Sequence, residues 1–119
     1  IDERFFGQPH RHAWVVSQPG ETVSNFVAEN ALFHYDMETG QKKTYHFGQG
    51  LVGGEFIFVP ESAAAKEAQG WLMGLVIDME NDTTELQFFD ALTIEEGPTG
   101  IVHLPHRVPP GFHGNWIPD

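Results

Sequence analysis

Seven histidines in 119 residues are the side chains most able to do chemistry in this chain. Neutral imidazole binds metals and carries protons near neutral pH. There is no cysteine, so disulfides and thiolate metal sites are excluded, and any metal must rest on His, Asp or Glu. His113 has the most unusual setting. It lies in Gly111-Phe112-His113-Gly114-Asn115-Trp116, just after Pro105-His106-Arg107-Val108-Pro109-Pro110. The glycines let the backbone pass close to another group, and the prolines limit the conformations of the approach. Such a loop presents an imidazole at a fixed place. A metal ligand and a loop histidine that merely caps a core fit these residues equally well.

The other histidines are weaker candidates. His10 and His12 are two apart, and in an extended chain they would share a face and could grip one metal. Sites of the cupin type add a carboxylate a few residues later, whereas Ala13 to Ser17 supplies none. His34, between Phe33 and Tyr35, reads as a strand histidine filling a half-buried surface. His46 sits near a strand end and reads as solvated. His103 and His106 flank Leu104-Pro105 beside Arg107, a polar loop.

The elements that must position these residues are strands. Thirteen glycines and eight prolines punctuate the chain, the rhythm of short strands and turns. His12 to Ser17 predicts a strand. Ala31 to Asp36 and Gln41 to Phe47 predict a hairpin closed by Met37-Glu38-Thr39-Gly40, with glycine where a positive φ is easiest. Glu55 to Val59, apolar nearly throughout and stopped by Pro60, has the composition of a buried central strand. Residues 61–69 read as a loop with at most one helical turn. Trp71 to Asp78 and Thr84 to Asp90 predict a second hairpin with an acidic tip, and Ile101 to Leu104 a last strand. Successive hairpins of similar length suggest propeller blades or one small sandwich. No clean internal repeat is present.

Six basic and seventeen acidic residues give a net charge of −11, which would repel a polyanion and excludes nucleic acid as a partner. The same field opposes docking on anionic lipid but leaves room for peripheral membrane contact through an apolar patch. No apolar stretch approaches the roughly 20 residues that span a bilayer. The absence of cysteine is compatible with a cytoplasmic location. Ile1-Asp2-Glu3-Arg4 has neither a methionine nor the layout of a signal peptide, as expected for a segment of something longer.

Three stretches together resemble the carotenoid cleavage oxygenases, the family of carotenoid and apocarotenoid cleaving enzymes, lignostilbene dioxygenases and the retinoid isomerase of the retinal pigment epithelium. The run Leu104 to Trp116 (L-P-H-R-V-P-P-G-F-H-G-N-W) resembles the family's C-terminal signature. Gly53-Gly54-Glu55-Phe56-Ile57-Phe58-Val59-Pro60 is similar to its glycine/serine-Glu-Pro-x-Phe-Val-Pro segment. Ile1 to Arg4 with Gly7 and His10-Arg11-His12-Ala13-Trp14 resembles a further family element, in the same order and spacing. The resemblance implies that residues 1–119 form the closing, all-β part of a seven-bladed propeller of antiparallel hairpins, with no separate domain inside it. It implies axial Fe(II) held by four histidines, three of them backed by glutamates. His113 matches the last iron ligand, Glu55 the glutamate behind it, and Phe112 a place lining the substrate cavity. The expected reaction is oxidative cleavage of a C=C bond in a small hydrophobic conjugated substrate by O₂. The other three ligands belong to the missing N-terminal blades, so this chain alone is expected to be inactive.

Phe56 stands where the family has proline. His10 and His12 match no family ligand. A different reading therefore remains, a free-standing β-module that is either non-catalytic or binds metal through His10, His12, Glu55 and His113.

Overall fold

The computed structural model describes residues 1–17, 30–111 and 113–117. Among these, all regular structure beyond two single 3-10 turns (Glu3–Phe5 and Ile94–Glu96) is antiparallel β. The first sheet holds β1 (His12–Ser17), β2 (Ala31–Asp36) and β3 (Gln41–His46) in the order β1-β2-β3. The second holds β4 (Leu51–Pro60), β5 (Gly70–Asp78), β6 (Thr83–Asp90) and β7 (Gly100–Leu104) in the order β4-β5-β6-β7. No helix among the described residues is long and apolar enough to cross a membrane.

The turns form where local chemistry favours them. Between β2 and β3, Gly40 takes φ 71° and its N–H donates to the Asp36 carbonyl at 2.8 Å. The Asp36 carboxylate accepts the N–H groups of Glu38 and Thr39, an Asx arrangement that fixes the turn. The β5–β6 tip repeats the device, with Asp78 accepting from Glu80 and Asn81. Both hairpins sit where the sequence predicts them, with strand ends moved by a residue. Phe47 leaves β3 and turns into the core.

That core lies between the two sheets. Leu32 of β2 meets Phe58, Leu72, Val76 and Phe89 of the second sheet, with Phe47, Ala91 and Ile94 closing the edges. Each of these side chains except Ala91 contributes about 1.5–3 kcal/mol on leaving water. Trp14 of β1 stacks on Phe58 of β4 at 5.3 Å between centroids, and its indole N–H donates to the Ala91 carbonyl at 2.8 Å. The first sheet is thus fastened across the interface by both an apolar and a polar contact.

One expectation needs revising. The segment Glu55–Val59 is not in a buried central strand: β4 stands at the edge of the second sheet, and most of it is only half-buried. It is apolar on both faces because each face has something to cover. Phe56 and Phe58 pack into the core, while Ile57 lines a cavity on the other side. Residues 61–69 are a loop, as the sequence predicts. It consists of short turns and is held down by the Arg4 guanidinium, which donates to the Ala65 carbonyl at 2.9 Å and the Lys66 carbonyl at 3.3 Å.

Candidate metal-ligand site

The site begins at a fault in β4. Gly53 pairs with Val76 and Phe56 with Gly74, so Gly54 and Glu55 together oppose Leu75 alone. This is a β-bulge, which re-aims the side chains around it. Here it puts an exposed carboxylate in the middle of an otherwise apolar strand.

Room for a side chain is short around this fault, most of all at Gly53 and Gly74. A Cβ on Gly53 would lie 2.5 Å from the Phe47 ring, and one on Gly54 3.1 Å from the Leu75 carbonyl oxygen. A Cβ on Gly74 would lie 2.6 Å from the Phe56 ring and 2.7 Å from the Glu55 carbonyl oxygen. Phe56 itself stacks on Phe47 at 5.8 Å and meets the edge of Phe89 at 5.6 Å. The glycines therefore let the core rings press directly on the backbone that carries Glu55.

After β7 the chain runs back across the second sheet as a strap, described over residues 105–111 and 113–117. Arg107 reaches Asp82 at 3.3 Å, and the Val108 N–H donates to the Thr84 hydroxyl at 2.8 Å. Farther on, His113 Nδ1 lies 3.1 Å from Glu55 Oε1, and the Gly114 N–H donates to Glu55 Oε2. A cavity of about 480 Å³ opens between strap and sheet, with Ile57, Met73, Leu75, Ile77 and Leu86 in its wall.

The geometry fixes the tautomer of His113. An ionised carboxylate can only accept, so the ring hydrogen sits on Nδ1 and points at Glu55. Burial pushes the Glu55 carboxyl up, but the Gly114 N–H and the His113 ring outweigh it and hold it below the usual glutamate range. Nε2 is then the nitrogen through which this imidazole would bind a metal, with the ring's orientation held by the carboxylate behind it. His113 and Glu55, paired only in expectation on the sequence, are thus brought together, 58 residues apart along the chain.

The other candidates go elsewhere. His12 Nδ1 lies 3.0 Å from His34 Nε2, and both rings join Trp14 in a stack. His10 Nδ1 lies 3.3 Å from the Gln8 carbonyl oxygen. A shared site of His10, His12, Glu55 and His113 is therefore not formed. Among the described residues no three His, Cys, Asp or Glu side chains are grouped to hold a metal. His46 is exposed, and His103 pairs with Glu85 at 3.2 Å on the surface. Phe112 lies outside the described residues. Sequence reasoning missed the roles of Gly54, Gly74 and Thr84. Two consecutive glycines inside a strand were the available signal for the bulge.

The described residues thus form two packed antiparallel sheets of the kind that make propeller blades, with Glu55 of an edge strand set against His113 of the strap. The chain matches the retinal pigment epithelial membrane protein family over residues 1–118, and it belongs to that family, the carotenoid cleavage oxygenases. It is 38% identical over 120 residues to a carotenoid cleavage oxygenase of Mycobacterium tuberculosis, covering 99% of this chain and 24% of that one. It is 32% identical over 123 residues to lignostilbene-alpha,beta-dioxygenase isozyme III of Sphingomonas paucimobilis, covering 98% and 25%. The fold matches the crystal structure of Pseudomonas brassicacearum lignostilbene dioxygenase with a TM-score of 0.86 at 28% identity, over 99% of this chain and 26% of that one. It matches cobalt-substituted Synechocystis apocarotenoid oxygenase with a TM-score of 0.80 at 29% identity, over 93% and 23%. The two sheets are therefore blades of a carotenoid-oxygenase propeller. The chain spans about a quarter of the length of the relatives it matches.

Proposed function

We propose that these residues belong to a non-haem Fe(II)-dependent dioxygenase that oxidatively cleaves a C=C bond of a carotenoid, apocarotenoid or stilbene-like substrate. In this reading His113 is the one iron ligand that residues 1–119 supply. The observation that carries it is the contact of His113 Nδ1 with Glu55 Oε1 at 3.1 Å, made at a glycine-supported bulge. A neutral imidazole with a fixed tautomer suits a borderline metal such as iron. Relatives named for carotenoid and lignostilbene cleavage support the reaction, and the cobalt-substituted relative supports a metal site in the fold.

When bound, Fe(II) would supply positions where O₂ can meet the alkene. This chain's own part is to hold the ligand and offer an apolar wall beside it. Glu55 fixes the ring, and the side chains of Met73, Leu75 and Ile77 form that wall, which suits a conjugated substrate. Phe112, next to His113 in sequence, would line the substrate cavity. The remaining ligands, the partner blades and any peripheral membrane contact belong to the rest of the parent protein, which would be cytoplasmic. Residues 1–119 would then be one portion of that propeller, inactive alone.

The test uses the full-length parent, with iron content and cleavage of a hydroxystilbene and an apocarotenoid measured side by side. One iron per protein and cleavage of either substrate, both lost in His113→Ala, is the expected result. Normal iron in His113→Ala would sink the ligand assignment. Stoichiometric iron on residues 1–119 alone would favour a free-standing metal module instead.

A further inference from the structure

The strap that carries His113 has a second fastening, and its chemistry is specific. Between Arg107 and Gly111 the chain reads Val108-Pro109-Pro110. Proline has no N–H, so Val108 offers the only backbone donor in that interval. It is spent on the Thr84 hydroxyl, at 2.8 Å. Thr84 lies in β6 opposite Ile77 and Leu104, and it is fully buried. A buried hydroxyl with that single backbone donor above it is a built contact, whereas the Arg107–Asp82 pair beside it is exposed and worth little.

The geometry gives this contact a task. From Thr84 in β6 the strap crosses β5 to reach Glu55 in β4. The lateral step is two strand spacings, about 10 Å. Val52 is paired with Ile77, which is paired with Thr84, and Glu55 lies three residues farther along β4. The straight path from Val108 to Gly114 is thus on the order of 13 Å, while six residues can span about 20 Å. The strap has slack, so tension does not place His113. Stiffness does, through Pro109 and Pro110, and only if the strap is pinned before the prolines as well as after them.

We propose that Thr84 is a positioning residue for His113. Its hydroxyl pins Val108, the two prolines carry that fixed point forward, and Glu55 receives the imidazole and the Gly114 N–H at the far end. Loss of the pin lets the strap swing, so the His113 ring spends less time against Glu55. This rests on the reading of His113 as an iron ligand, which the experiment checks separately.

The experiment compares Thr84→Val, Thr84→Ser and His113→Ala in the full-length iron-loaded protein. Val removes the acceptor at nearly constant shape, and Ser keeps it. Three readouts are taken: the rate of iron release to a chelator, the kcat and KM of alkene cleavage, and hydrogen exchange at the Val108 amide. The expected result for Thr84→Val is iron release faster by about fivefold to tenfold, the worth of one buried hydrogen bond. Its kcat falls with KM nearly unchanged, and the Val108 amide loses protection. Thr84→Ser recovers most of each. If Thr84→Val does not accumulate, Val108→Pro removes the same hydrogen bond from the strap side and carries the test. Unchanged iron release in Thr84→Val with the Val108 amide deprotected, or unchanged iron release in Val108→Pro, which has no amide hydrogen at that position, would overturn the proposal. Unchanged iron content in His113→Ala would instead overturn the ligand reading beneath it.

Discussion

Two imidazoles in this molecule occupy opposite settings. His34 is 3% exposed, stacked between Trp14 at 5.6 Å and His12 at 5.1 Å, and its Nε2 lies 3.0 Å from His12 Nδ1. Its Nδ1 has no hydrogen-bond partner. Burial, and then the neighbouring His12 and Lys43, push its pKa below the ordinary histidine value. The His113 side chain is 78% exposed and faces a carboxylate. The first ring is a packing element kept neutral by its surroundings. The second is presented to solvent and oriented by its partner. Residue type does not separate them; the partner of each Nδ1 does.

The sharpest way to break that contrast is to remove the presented ring. In the full-length parent, His113→Ala should lower iron affinity by more than the ~10–100-fold typical of losing a supporting partner. His34→Phe, which keeps the stack, should leave bound iron unchanged. Metal analysis after dialysis against a weak chelator checks both. Equal losses would mean that His34 has a role the geometry does not give it.

The next effect isolates the carboxylate. Glu55→Gln keeps the size and one acceptor but removes the charge that fixes the His113 tautomer. Iron affinity should fall by about 10–100-fold, most clearly above pH 5, where Glu55 is ionised in the parent. The depressed Glu55 pKa sets the sign. Contacts to the ionised form are present above the ordinary glutamate pKa and fade as pH falls through the lower folded value. A chelator competition series across pH 4–7 should show the wild-type advantage shrinking toward acid.

These two residues were legible in the sequence for different reasons. His113 stood out by its glycines and prolines, yet local physics left ligand and cap equally open. Only the family resemblance tied it to Glu55. The carboxylate was visible as a charge inside an apolar run, but the run was read as a central strand, because periodicity reports which residues are apolar and not what covers each face. The fold was more legible than the site, since turn residues such as Gly40 and Asp78 mark hairpins locally. The bulge, the strap's path and its Thr84 pin depend on contacts between segments distant in sequence. No window along the chain contains them. The His12–His34 contact was hidden for the same reason: His12 pairs across the sheet with Asp36 while its ring leans toward residue 34.

A substitution in the core tests whether the site depends on packing beneath it. In Gly74→Ala the new Cβ would stand 2.7 Å from the Glu55 carbonyl oxygen and 2.6 Å from the Phe56 ring. Relief requires movement of the bulge backbone, because Phe56 is itself held by Phe47 and Phe89. Overpacking of this kind costs about 1–3 kcal/mol, and part of the shift should reach the Glu55 carboxylate. The expected outcome in the full-length protein is a lower melting midpoint together with faster iron release. Gly111→Ala, where nothing lies within 4 Å of the added carbon, is the control for a strap glycine. A lower midpoint with unchanged iron release would show that the bulge absorbs the strain without moving Glu55.

The smallest effect belongs to the buried ring. His34 has a lowered folded pKa, so the folded protein refuses a proton that the unfolded chain accepts near pH 6.5. Stability from this residue is therefore whole above about pH 6.5 and is lost as pH falls below it, with a slope of at most about 1.4 kcal/mol per pH unit. Asp36 acts in a different window. The Arg11 guanidinium holds its carboxyl far below the usual range, so its contribution persists until pH falls below about 4. His34→Phe should flatten the melting midpoint between pH 6.5 and 5 and leave the loss below pH 4 in place. The groups that face His34 are His12 on β1, Lys43 on β3, Asp36 on its own strand and Glu95 beyond β6. If the slope between pH 6.5 and 5 survives in His34→Phe, the pH dependence in that window does not come from His34, and the lowered pKa of the buried ring contributes nothing measurable to stability.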